Sequence, residues 1–170
     1  ALAQLRLQLG QLERAEEIIE RVRATDSDNL TAILLAANLE ERRDNRSEAG
    51  RLYNLAVERH PSNFMAFYRR AQFNSSDPSR RADVLFDLQR VNALRPSLVD
   101  AWRARFNVNR QANDPEAAFA VLREGIEQAP SIADELTTML VQELVNTGQI
   151  AEASSVATRC ANVDPTDTGW

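Results

Sequence analysis

Residues 102–130 read WRARFNVNRQANDPEAAFAVLREGIEQAP. An apolar series through Trp102, Phe106 and Val108 comes first, and a second through Ala118, Leu122 and Gly125 follows at steps of 4 and 3. Those steps return a side chain to one face of a helix, so the second series predicts an amphipathic helix with a face of small and medium residues. Small residues there let a neighbouring helix approach closely. Between the two lies Asp114-Pro115, an acid suited to the N-cap before a proline tolerated in the first helical turn. Helix, short turn, helix and closing proline make one supersecondary unit.

Worked outward from this stretch, the unit recurs. Pro61, Pro96, Pro130 and Pro165 fall at intervals of 35, 34 and 35 residues, and Ser27 sits 34 residues before the first. A fixed period of about 20–50 residues marks stacked units, none of which can bury its own apolar face alone. Twelve residues before the closing position stand Ala15, Ala49, Ala118 and Ala153, with Val84 in the third unit. Eight before stand Ile19, Tyr53, Leu88, Leu122 and Ala157; five before stand Val22, Ala56, Val91, Gly125 and Cys160. An earlier helix in each unit is carried by Ala32, Ile33, Ala36 and Leu39, by Ala66, Phe67, Ala71 and Phe73, and by Leu136, Leu140 and Leu144. Gly10 and Gly148 suit the ends of such helices, and Asp77-Pro78 repeats the Asp-Pro start. The units run from about 1 to 29, 30 to 63, 64 to 98, 99 to 132 and 133 to 167, with Gly169-Trp170 opening a further one. Ala1 begins inside an amphipathic pattern, so the sequence reads as a fragment of a longer chain.

Trp102, Ala118, Leu122 and Pro130, then Gly148, Ala153 and Pro165, and in the second unit Ala37, Ala49, Tyr53, Ala56 and Pro61, resemble the tetratricopeptide repeat family over nearly the whole chain. The resemblance implies an all-α fold, a right-handed superhelical solenoid of about five antiparallel helix pairs, and a concave groove lined by the first helix of each pair. The middle units depart from the pattern. Arg70 and Arg105 stand where the family usually has leucine, Phe106 where it has Gly or Ala, and the third unit needs one extra residue between Ser76 and Arg81. A kink or altered helix crossing is expected there.

Composition narrows the function. Hydrophobic content of 44% with 26% charged residues suits a water-exposed protein with a core, and the longest apolar run, Leu30 to Leu39, falls short of the roughly 20 residues a membrane helix needs. All twenty basic residues are arginine, whose planar guanidinium favours carboxylates, phosphates and aromatic faces. Residues 64–115 carry a net charge of +4, and residues 116–170 carry two Arg against nine acids. Nucleic-acid binding, which needs a continuous basic stripe, is not expected over such an acidic end.

Catalysis has little to work with. His60 is the single histidine and reads as a helix-end residue facing water; Cys160 falls in the small-residue packing column. Five isolated glycines build no phosphate loop. Glu13/Glu17 and Glu16/Glu20 share helix faces, but Arg14, Arg21 and Arg23 interleave with them as on a solvated surface. We therefore expect no enzyme, no cofactor and no metal.

One column of the first helices is polar throughout: Gln4, Asn38, Gln72, Asn107 and Gln142, at intervals of 34, 34, 35 and 35. A side-chain amide both donates and accepts, so a ladder of them can pair with an extended backbone, or merely solvate an inner surface. Thr31, Leu34 and Glu41, Met65, Tyr68 and Ser75, Asp100, Arg103 and Arg110, and Glu135, Thr138 and Val145 share that face. The expected partner-binding residues are Asn38, Tyr68, Arg69, Gln72, Arg103, Asn107, Arg110 and Gln142, with the arginines holding an acidic segment and Tyr68 an apolar side chain. The function that follows is a non-catalytic scaffold binding a protein or peptide along its groove. Two neighbouring readings stay open: a periplasmic scaffold region of a bacterial polysaccharide-export or secretion protein, and a half-a-TPR-like scaffold in an RNA-processing complex. A carbohydrate site would want exposed aromatic platforms, for which Tyr68 is the candidate. The compartment is left open between cytoplasm and periplasm.

Overall fold

Each of the paired patterns folds as two helices. A computed structural model describes residues 2–161, with side chains through 159. Among the described residues there are ten α-helices and no strand: α1 Leu2–Gln8, α2 Leu12–Thr25, α3 Leu30–Arg42, α4 Arg46–Arg59, α5 Phe64–Asn74, α6 Arg81–Leu94, α7 Val99–Gln111, α8 Pro115–Gln128, α9 Ala133–Asn146 and α10 Ile150–Ala161. They pack as consecutive pairs, giving an all-α helical-repeat fold of the solenoid class. Pro165, Gly169 and Trp170 lie outside the described residues, as does the side chain of Cys160.

The chain divides into two bodies, residues 1–94 and 95–170. In the first, Leu7, Ala15, Ile19, Ala36, Ala37, Leu39, Leu52 and Tyr53 form one buried cluster, and Ile33, Ala56 and Ala66 another. In the second, Trp102, Phe106, Phe119, Leu122, Leu136, Leu140 and Leu144 share a core with Ala118, Ala153 and Val156. The alanine column is buried from Ala15 to Ala153, Val84 included. Among the described residues, burial fails at two positions of the packing columns: Val22 is 39% exposed, and Ala157 is exposed while Val156 turns inward.

Gly125 shows why small residues recur five before the proline. A Cβ added there would lie 2.6 Å from Leu136 Cδ1 and 3.0 Å from Trp102 Cδ2. Its absence lets the fully buried Trp102 ring and Leu136 both close on α8. Trp102 Nε1 donates to the Pro96 carbonyl at 2.7 Å, tying the proline turn to the helix that follows.

The turns inside the pairs share a backbone device. Gly10, Asp44, Asn113 and Gly148 adopt φ of 70°, 59°, 60° and 78°, the left-handed region that ends a helix. They occupy one column, 34, 69 and 35 residues apart. In the third repeat the column falls on Pro78, whose ring locks φ negative. The chain instead leaves α5 at Asn74 and enters α6 through a 3-10 turn, Pro78–Arg80, with Asp77 accepting from the Ser79 N–H at 3.0 Å. This turn holds the extra residue. Asp114 caps α8 as expected, accepting from Ala117 N–H at 3.1 Å, and asparagines cap α3, α4 and α5 at Asn29, Asn45 and Asn63.

Arginines in leucine positions are paired with acids from the second helix of the same repeat. Arg70 forks onto Asp87, Nε to Oδ2 at 2.9 Å and Nη2 to Oδ1 at 2.7 Å, and its Nη1 donates to Asn54 Oδ1 at 3.1 Å. The Asp87 hydrogen bond raises the Arg70 pKa further above the arginine range, and burial opposes it. Arg105 Nη1 lies 2.9 Å from Glu124 Oε2. His60 does not face water alone: its Nε2 sits 2.6 Å from the Asp28 carbonyl, which can only accept, so Nε2 carries the proton. Arg59 adds an ion pair to Asp28 at 3.3 Å, and together they fasten the end of α4 to the turn before α3.

Candidate functional site

The first helices of the first body place part of the amide column on a common surface. Gln4 and Gln8 of α1, Thr31, Leu34, Leu35, Asn38 and Arg42 of α3, and Met65 and Arg69 of α5 line an open cleft of about 440 Å³, with Leu7 and Tyr53 at its floor. Repeat spacing brings these residues together: residues 34 apart in sequence occupy equivalent places on successive first helices, so Gln4 meets Asn38 and Thr31 meets Met65.

Asn38 in the cleft is engaged with its own helix. Asn38 Nδ2 donates to Glu41 Oε2 at 3.3 Å, and its Oδ1 accepts from Arg42 Nε at 3.3 Å. Arg69 Nη1 donates to Gln72 Oε1 at 3.2 Å. Gln72 itself opens onto a neighbouring cleft of about 220 Å³ with Glu41, Asp44, Arg46, Phe73 and Ser76. Tyr68 is half-buried on α5. The remaining expected residues belong to the second body. On α7, Arg103 and Arg110 are exposed and Asn107 is half-buried; Arg103 Nη1 donates to Asp100 Oδ1 at 3.3 Å. On α9, Gln142 is exposed and donates to Asn146 Oδ1 at 3.1 Å.

Five lining residues were not read from the sequence: Leu7, Gln8, Leu35, Arg42 and Tyr53. Arg42 and Gln8 stand four residues after Asn38 and Gln4, one helical turn along the same face, and that spacing could have found them. Tyr53 could not be found so, because it is a core residue of α4 reaching the cleft from behind. Its phenol pKa is raised, first by burial and then by the nearby Glu41 carboxylate, so the hydroxyl stays protonated.

A third cleft, about 470 Å³, lies behind the irregular turn, among Arg46, Gly50, Arg51, Asn54, Phe73, Asp77 and Arg80. Its arginines are occupied: Arg46 stands 4.8 Å over the Phe73 ring, Arg51 pairs with Glu48 and Arg80 with Asp83. No group of three His, Cys, Asp or Glu that could hold a metal occurs among the described residues, and no helix among them is long and apolar enough to cross a membrane.

No family model matches this sequence, and no curated protein matches it. Solved structures do. The crystal structure of MamA superposes with a TM-score of 0.66 at 16% identity, covering 92% of this chain and 90% of that one. MamA from Desulfovibrio magneticus RS-1 gives 0.63 at 14% identity over 98% and 93%. PilF from Pseudomonas aeruginosa gives 0.70 at 15% identity over 91% of this chain and 70% of that one. Both are tetratricopeptide-repeat proteins, and the fold of this chain is of that type.

Proposed function

We propose that this chain is a non-catalytic scaffold that binds a protein partner, taking an extended segment along the face made by the first helices of its repeats. The observation that carries the reading is the cleft shared by α1, α3 and α5, where Gln4, Asn38 and Arg69 line one open surface above an apolar floor of Leu7, Leu34 and Leu35. Polar groups along a groove can satisfy a strand's backbone, while apolar gaps between them receive side chains. Reading the fold as an interaction scaffold accords with its likeness to MamA and PilF, both repeat proteins. Asn107, Arg103, Arg110 and Gln142 would make a surface of the same kind within the second body, and Tyr68 would border the cleft of the first on α5.

Peptides selected from a random library against the whole chain test this. Thr31 is exposed at the cleft, so Thr31→Trp fills it without touching the core. Selected peptides are expected to lose about ten-fold or more in affinity for that variant, which corresponds to about 1.4 kcal/mol. Unchanged affinity would mean that the partner surface lies elsewhere.

A further inference from the structure

We infer that the cleft of the first body reads acidic side chains set next to an apolar residue, through Arg42 and Arg69. This rests on the scaffold reading above, and it names the chemistry of the segment bound. Both charged residues lining the cleft are arginines. Six arginines elsewhere in the same body are matched to carboxylates, Arg23 with Glu20, Arg43 with Glu16, Arg51 with Glu48, Arg59 with Asp28, Arg70 with Asp87 and Arg80 with Asp83, while Arg6 and Arg14 donate to the Gln11 amide oxygen and Arg46 to the Phe73 carbonyl and Ser76. Arg42 and Arg69 are of the amide-held kind, and they face the cleft. Each gives one N–H to a neutral amide oxygen, Arg42 Nε to Asn38 at 3.3 Å and Arg69 Nη1 to Gln72 at 3.2 Å.

An amide oxygen fixes a guanidinium without cancelling its charge. Each arginine keeps further N–H groups in the fork geometry that suits a carboxylate. Asn38 also donates to Glu41, so it stands as a neutral spacer between that acid and Arg42. The amide column therefore has a use other than pairing with a strand: it positions two cations over an apolar floor. Leu7, Leu34 and Leu35 supply that floor, with Met65 beside it. The complementary segment carries Asp or Glu on both sides of a large apolar residue.

Three extended peptides probe this against the full chain by fluorescence anisotropy: a leucine flanked by glutamates, the same peptide with glutamines, and the same with lysines. The glutamate peptide is expected to bind about ten-fold or more tightly than the glutamine one, because charge-assisted hydrogen bonds exceed neutral ones, with the ratio falling as salt rises. Arg42→Gln with Arg69→Gln should abolish that ratio, and a ratio that survives both substitutions overturns the inference. Asn38→Leu should reduce the ratio without changing the helical circular dichroism, a loss of selectivity that a merely structural role would not produce. Equal binding of glutamate and glutamine peptides, each blocked by Thr31→Trp, overturns this inference and leaves the scaffold reading intact. Binding of none of the three, or binding indifferent to Thr31→Trp, overturns both.

Discussion

Replacing Arg70 by leucine, the residue the repeat pattern leads one to expect there, should destabilise the first body strongly. Asp87 is fully buried and takes both its short hydrogen bonds from the Arg70 guanidinium, which is itself 21% exposed. Arg70→Leu thus strands a carboxylate in the core with no counter-charge, a loss of about 3–5 kcal/mol. Asp87→Leu should cost less, about 1–2 kcal/mol, since the arginine retains Asn54 as a partner and can turn toward water. The double variant removes both desolvation terms and fills the site with apolar atoms; it should match the parent or exceed it by about 1–4 kcal/mol. Urea unfolding of the four proteins, followed by far-UV circular dichroism, closes the cycle, and its coupling should exceed about 2 kcal/mol. In melting temperature the Arg70→Leu loss is on the order of 10 °C for a chain of this size. If Arg70→Leu unfolds within about 0.5 kcal/mol of the parent, or the double variant is as unstable as that single one, the buried-pair account is wrong.

Gly125→Ala sets a helix-propensity gain of about 1 kcal/mol against overpacking of about 1–3 kcal/mol, and the rigid Trp102 ring at 3.0 Å decides for destabilisation. Gly50→Ala, whose new Cβ would meet the Phe73 ring at 3.3 Å, is the comparison and should unfold at higher urea than Gly125→Ala; the reverse order would refute the packing argument. Asn92 is buried with neither amide atom bonded, in a column where the second and fourth repeats have Val57 and Ile126. Asn92→Val should therefore stabilise by about 1 kcal/mol in the same assay, and a loss of stability would show that the amide has a partner after all. Tyr53 makes stability pH-dependent on the alkaline side. Because its folded pKa is raised, its contribution is complete below the unfolded tyrosine value of about 10 and is lost as pH climbs above it. Tyr53→Phe should flatten the alkaline fall in stability; an unchanged alkaline fall in that variant would contradict this.

The fold was legible because its signal is repeated. One helix pair could be misread, but the columns through Ala49, Tyr53 and Ala56 and through Ala118, Leu122 and Gly125 coincide only in one register, and burial follows them. The left-handed column was half visible. Gly10 and Gly148 announce themselves, whereas Asp44 and Asn113 hide the same φ behind ordinary polar side chains. The site was less legible for a physical reason: an amide's partners depend on rotamers of residues three and four away, and periodicity is blind to those. Hence the sequence set Asn38 and Gln72 in one column but could not show that their oxygens hold Arg42 and Arg69.

The third repeat joins these threads. Pro78 cannot take the left-handed position that ends the first helix of four other repeats, so α5 has eleven residues and the 3-10 turn fills the gap. That same helix carries Arg69 into the cleft on one face and Arg70 into the pair with Asp87 on another. Buried ion pairs seldom out-compete apolar packing in stability, but they tolerate few alternative alignments, since a slip of one residue leaves a charge unpaired. With its end freed from the standard turn, α5 has the Arg70–Asp87 fork as a directional contact with α6, beside the buried Phe67 and Ala71. Rotation of α5 sets where Arg69 points. On this argument Arg70→Leu with Asp87→Leu, even where it raises stability, should weaken the preference for acidic peptides, because it removes a directional contact of the helix bearing one of the two cations.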